Sequence, residues 1–170
     1  MSKLIDISRA YSPGIAVFPN DTLYTEEFVA RISHACPVNV SKITMSVHCG
    51  THADAPYHYD ENGLRMAAVD LDVFVGPCRV IDAQGVGPLV LPADIESHLK
   101  NTPPRVLLRL FAGQDSNLWN DKFRALAPET VQLLADHGVK LVGVDTASVD
   151  PSTSKSLPAH MACKRSKSVV

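Results

Sequence analysis

Pro103-Pro104-Arg105-Val106-Leu107-Leu108-Arg109 sets the architecture. The paired prolines stop the segment before them, because neither can donate a hydrogen bond and each bars its predecessor from helical backbone. The apolar run that follows is short and bounded, the mark of a buried strand. Toward the N-terminus, Pro92 is placed at the first turn of a helix running through Ile95 and Leu99. Toward the C-terminus, Pro128 repeats the device. It opens a helix with Val131, Leu134 and Ala135 on one face, capped at Gly138 and followed by the strand Lys140-Leu141-Val142-Gly143-Val144-Asp145. Strands alternating with helices predict an α/β second half, beside a first half richer in strand and irregular loop.

In that first half, Leu4-Ile5-Asp6-Ile7-Ser8 reads as a short strand, and Tyr11 to Tyr24 as a loop carrying exposed aromatics. Ile43 to His48 reads as a strand, as does Phe74 to Ile81, broken at Gly76-Pro77. With 170 residues and 18.4 kDa, the chain has the size of one domain with its own core. A hydrophobic fraction of 45% with net charge −2 excludes a basic nucleic-acid face, and no apolar run of about twenty residues offers a membrane span. Asp6 interrupts the apolar start, which argues against a secretory signal and for a cytoplasmic protein. Cys36, Cys49, Cys78 and Cys163 show no Cys-x-x-Cys pairing and are expected as reduced thiols. Lys164, Arg165 and Lys167 among serines predict a frayed, solvated end.

The chemistry concentrates in His48-Cys49-Gly50-Thr51-His52-Ala53-Asp54-Ala55-Pro56-Tyr57-His58, which holds three of the chain's 7 histidines. On an extended strand His48, His52 and Asp54 share parity and face one way. A helix serves less well, since it turns position 54 away from 52 and is opposed by Gly50 and Pro56. Gly50, between the two histidines, is expected to leave room for an ion. Two imidazoles and a carboxylate suit Zn²⁺ or a similar first-row ion and leave coordination positions open. His34, His98 and His137 lack such company.

The string His48-x-Gly-Thr-His52-x-Asp54-x-Pro56-x-His58 resembles the signature of the cyclase-like metal-dependent hydrolases, whose bacterial members include the kynurenine formamidases. The likeness continues through Asp6-Ile7-Ser8, Phe18-Pro19-x-Asp21-Thr22, Arg105 to Arg109, Leu126 to Thr130, Val142-Gly-Val-Asp145-Thr146-x-Ser148-x-Asp150-Pro151, and Ser154-Lys155 followed by His160. It implies a single α/β domain of the swivelling β/β/α type, with a mixed, partly barrel-like sheet flanked by helices. It also implies a small-molecule substrate, a homodimer and a divalent metal: zinc, with manganese as an alternative, and two ions per chain. His48, His52 and Asp54 would hold the first ion, with Asp54 able to bridge to a second bound by His160. His58 matches the catalytic histidine, and the Phe18 loop offers a ring to stack on substrate. The reaction implied is hydrolysis of N-formyl-L-kynurenine to L-kynurenine and formate, in tryptophan breakdown.

Three departures from the family pattern stand out. Phe18 replaces a common Trp, Ala147 replaces a frequent Pro, and no Asp or Glu follows Asp150, although the family places an acidic ligand after the second-site histidine. The expected organisation is a hydrolase domain over residues 1–162, lacking the family's C-terminal part, and a divergent basic tail over 163–170. Two alternatives stay open: an isatin-like lactam as substrate, motivated by Phe18, and a catalytically impaired member of the family, motivated by the absent acidic ligand.

Overall fold

The computed structural model describes residues 4–111, 113 and 117–170. Their contacts divide into two compact units. One draws on Met1–His52 and Asp115–Trp119, the other on Ala53–Gln114 and Asn120–Val170.

In the first unit β1 (Thr25–Ala30) and β2 (Val40–Thr44) form an antiparallel ribbon with Thr25 opposite Thr44, and a bulge shifts the register between Phe28 and Ala30. Leu4 to Ser8 does not form the expected strand. Leu4, Ile5 and Ile7 are exposed and pair with nothing in a sheet, and strand propensity without a partner ladder does not hold a strand in water. Tyr11 to Tyr24 is irregular, as the turn residues predict.

In the second unit β3 (Cys78–Asp82), β5 (Arg105–Arg109) and β7 (Leu141–Val144) make a parallel sheet in the order β3-β5-β7. A second parallel pair joins β4 (Leu89–Val90) to β6 (Ala125–Leu126). Parallel neighbours need long crossovers, and these carry α1 (Pro92–Ile95), which continues as a 3₁₀ turn to His98, and α2 (Pro128–Asp136). Both helices open on the expected proline, and Gly138 follows α2 at φ 81°. A third helix, α3 (Pro158–Ser166), opens the same way. The sheets are mixed overall, and no closed barrel forms among the described residues.

Strand β5 is central. Val106 and Leu108 are buried between neighbours on both sides, with Ile81, Val142, Ile95, Leu99, Val131, Leu134, Ala159 and Ala162 completing the core. The strand expected from Phe74 forms only from Cys78: Phe74 closes the 3₁₀ turn Leu71–Val73, and Gly76 at φ 136° leads into β3. All four cysteines are free thiols, and no helix among the described residues is long and apolar enough to cross a membrane.

The end of the chain corrects the expectation of a frayed tail. Helix α3 runs to Ser166 and stops with Lys167 in the left-handed region, and Ser168 N–H reaches back to Cys163 C=O at 3.1 Å. Val169 then lies parallel to β7. Its N–H donates to Lys140 C=O at 2.8 Å, and its own carbonyl accepts from Val142 N–H at 2.9 Å. Cys163, Ser168 and Val169 are buried, and Lys164 pairs with Asp60 at 2.9 Å. The basic residues face outward while their apolar neighbours fill the unit, a division that composition alone conceals.

Leu134→Ala, at a site with 0% exposure, is expected to lower the unfolding free energy by about 2–5 kcal/mol. Val86→Ala, at 98% exposure, should stay within about 0.5 kcal/mol of the parent in the same urea titration.

Candidate metal centre

Within the first unit, strand β2 ends at Thr44, and His48 sits in a turn instead of on an extended strand. Cys49 N–H donates to Ser46 C=O at 3.2 Å, and His48 N–H to Ser46 Oγ at 3.1 Å. Ser46 hydroxyl in turn donates a short hydrogen bond to the Asp21 carboxylate. That bond, then the Thr22 amide, holds the Asp21 carboxyl below its ordinary value. Asp21 therefore anchors the loop that carries His48.

The chain turns at His48 to Thr51 instead of running extended, so shared parity does not set the directions of these side chains. Gly50 adopts φ +63°, and the Tyr11 ring lies where its Cβ would stand, with Cε1 only 2.8 Å from that position. Tyr11 hydroxyl donates to the carbonyls of Cys49 and Thr51, each at 3.2 Å. Gly50 is thus required by a left-handed turn and a tyrosine clamp, where the sequence suggested space for an ion. This turn brings His48 Nδ1 to 3.3 Å from His52 Nε2. Two nitrogens bound at 2.0–2.1 Å to one tetrahedral ion stand about 3.3–3.4 Å apart, so the pair has the spacing of neighbouring ligands. His52 Nδ1 lies 3.0 Å from Gly50 C=O, a pure acceptor. Nδ1 therefore carries the proton and Nε2 is left to bind.

Within the second unit, Asp54 follows directly in sequence, and its N–H donates to Val170 C=O at 2.7 Å. Asp54 Oδ2 lies 3.7 Å from His160 Nε2. His160 is buried on the first turn of α3, where its Nδ1 meets Asp150 Oδ2 at 2.6 Å. His58 closes a 3₁₀ turn, Pro56–His58, and is exposed, with its ring centroid 5.8 Å from that of His160. Tyr59 packs beside His160 at 5.2 Å between centroids, and burial raises its phenol above the usual range.

The buried pair has perturbed acidities. Burial alone would lower the His160 pKa, but hydrogen bonds to Asp150 and Asp54, and their charges, push it up to about 9. Burial would raise Asp150, yet its bonds from the His160 ring and from the Ala159 and His160 amides hold it below its ordinary value. Burial, then the Asp150 charge, pushes the nearby Cys163 thiol up to about 12.

Two residues stand out that the sequence did not assign. Asp150 lies in the matched string, but its work as partner of His160 is tertiary. The one signal was Leu157 before Pro158, a helix start with no capping side chain of its own. Trp119, the only tryptophan, meets Phe18 edge-on at 5.1 Å between centroids, so an indole does stand beside position 18. Phe18 itself is 43% exposed, in keeping with an aromatic loop.

This α/β architecture is that of the metal-dependent hydrolases: the chain superposes with a TM-score of 0.81 and 25% identity on a "potential metal-dependent hydrolase with cyclase activity", covering 98% of this chain and 79% of that one. A "predicted metal-dependent hydrolase" from Bacillus stearothermophilus gives 0.78 and 25%, covering 98% and 80%. An isatin hydrolase bound to the product analogue thioisatinate shares the fold at 0.74 and 17% identity, over 97% and 76%. In sequence, residues 5–151 match the Cyclase family, described as "Putative cyclase". The chain is also 51% identical over 163 residues to the kynurenine formamidase of Delftia acidovorans strain DSM 14801 / SPH-1, spanning 96% of this chain and 78% of that protein. The chain belongs to the Cyclase family.

In metal-free protein the raised His160 pKa contributes stability that is fully present below its ordinary value of 6.5 and is lost as pH rises through about 9. In chelator, the urea midpoint of the parent should therefore fall over that window more steeply than that of His160→Gln. Parallel pH profiles for the two proteins would contradict the assignment.

Proposed function

We propose that this chain hydrolyses N-formyl-L-kynurenine to L-kynurenine and formate. In this reading His48, His52 and Asp54 hold a divalent ion, His160 serves a second, and His58 carries the proton. The observation that carries it is the 51% identity to a kynurenine formamidase over nearly the whole chain. The donor set supports it: three imidazoles and a carboxylate suit zinc, and the His48 and His52 nitrogens stand at ligand spacing.

A formamide is a weak electrophile and water a weak nucleophile at neutral pH. A bound divalent ion supplies the Lewis acidity that brings the pKa of water to roughly 7 and polarises a carbonyl oxygen. The chain's own residues do the rest. His52, held by Gly50 C=O, presents Nε2 toward His48. His58 is exposed to an incoming substrate, and an imidazole exchanges protons readily near neutral pH. It takes the proton as the new C–O bond forms and returns it to the aniline nitrogen as the C–N bond breaks, so that kynurenine leaves as a neutral amine. Phe18, backed edge-on by Trp119, offers an aromatic face for the aniline ring.

The likeness to the isatin hydrolase, at 17% identity, is one of fold, so a formylated aniline is preferred over a lactam. The reading extends to a cytoplasmic homodimer. Four free thiols fit a reducing compartment, and exposed Val29 and Ile43 on the two-stranded ribbon offer apolar surface to a second copy. Light scattering is expected to give twice the chain mass; a monomer at micromolar concentration would contradict the dimer.

Zinc-loaded protein is expected to release formate from N-formylkynurenine faster than it opens isatin. His58→Ala should lower kcat by about 10²–10⁴-fold with metal content unchanged. Activity that survives both chelation and His58→Ala contradicts the mechanism. Superior lactam turnover moves the substrate, and a calorimetric titration without zinc binding favours an impaired member of the family.

A further inference from the structure

The fully buried Asp150 has a role that the proposed chemistry leaves unassigned. It stands after β7, ten positions before His160, and has 1% exposure. Its Oδ1 accepts from Ala159 N–H at 2.9 Å, and its Oδ2 from both His160 N–H at 3.0 Å and His160 Nδ1 at 2.6 Å. Leu157, at the helix cap position, supplies no side-chain acceptor. One carboxylate thus satisfies two of the amides that a helix start leaves without partners, and it grips the imidazole of the residue that owns one of them.

The chemistry of the grip fixes which nitrogen is available. The Asp150 carboxylate already accepts the Ala159 and His160 amides, so it acts as an acceptor toward the ring as well and Nδ1 carries the proton between them. The nitrogen left for any other partner is Nε2, and it is the one directed at Asp54 Oδ2, 3.7 Å away. The helix amides fix the carboxylate in place, and the ring is held by the same fixed oxygen, so rotating the ring breaks its Nδ1 bond to Asp150. A carboxylate on the remote nitrogen raises ligand basicity and sets ring orientation.

We infer that Asp150 is a positioning residue that acts through His160: it locks the ring with Nε2 toward Asp54 and so sets the affinity of the His160 site for a divalent ion. The inference rests on the reading of His160 as a metal-binding residue. Asp150 touches neither substrate nor ion in this account. An amide at position 150 turns an N–H either toward the Ala159 amide or toward the His160 amide and Nδ1 together, so Asp150→Asn disturbs the helix start in one orientation and both the helix start and the grip on the ring in the other, at nearly unchanged volume.

The test is calorimetric titration of the chelator-stripped full chain with Zn²⁺, for the parent, Asp150→Asn, His160→Ala and the double variant, with thermal melts in chelator to follow the fold. Asp150→Asn is expected to weaken the site removed by His160→Ala by about 10–100-fold. The double variant should bind no more weakly than His160→Ala alone. Two results overturn the inference while leaving His160 a ligand. In one, Asp150→Asn binds as the parent does while His160→Ala is weakened; in the other, the Asp150→Asn loss persists undiminished in the His160→Ala background, as a purely structural cap would give. If His160→Ala binds as the parent does, the ligand reading falls and this inference with it. Should Asp150→Asn not fold, Asp150→Ser keeps a capping hydroxyl on a side chain too short to hold the ring, and the same comparisons apply.

Discussion

A carboxylate buried beneath the start of a helix organises the larger unit of this protein. Helix α3 begins at Pro158 with no capping side chain, and its first amides would be buried without acceptors if Asp150 did not reach them from the loop after β7. With that bond made, Ala159, Ala162 and Cys163 pack into the core, and the chain leaves α3 directed along β7, where Val169 extends the sheet. The charge is tolerated because every contact on it is a donor. Removing the donors would strand a buried carboxylate, a loss of about 3–5 kcal/mol in comparable pairs. The same bond aims His160, so packing and site geometry have one origin.

The two units solve the same chemical problem by different means. In the proposed centre a histidine binds through one nitrogen, and an acceptor on the other fixes its ring. His52 finds it in the carbonyl of Gly50, created by a left-handed turn under the Tyr11 ring. His160 finds it in Asp150, through a long-range contact. The local device costs one glycine; the remote one requires the helix to be in place first. His58, the third imidazole of the cluster, is exposed, as the proposed role of proton carrier requires.

Much of the second half was legible. Strand β5 matches Arg105–Arg109, and α2 and β7 fall between Pro128, Gly138 and Asp145, because prolines and glycines punctuate and a short apolar run between them has few alternatives. The first half was less so. Leu4 to Ser8 has strand composition but no partner, and Ile43 to His48 keeps its strand only to Thr44, where the Ser46–Asp21 bond and the turn at His48 take over. The composition of the histidine cluster pointed to metal chemistry, yet the parity reasoning attached to it failed. Positive φ at Gly50 depends on a tyrosine thirty-nine positions away, which no local pattern reveals. The C-terminal residues misled for a related reason: Lys164 and Arg165 are visible in composition, whereas Val169 finds its place only when β7 exists.

The central claim is that histidine nitrogen and carboxylate oxygen hold a divalent ion here, with no part played by the four thiols. X-ray absorption at the zinc edge of reconstituted protein tests it most directly. The account predicts nitrogen and oxygen scatterers at about 2.0–2.1 Å with the outer-shell pattern of at least two imidazoles. A sulfur shell at about 2.3 Å, or a spectrum without imidazole features, would contradict it.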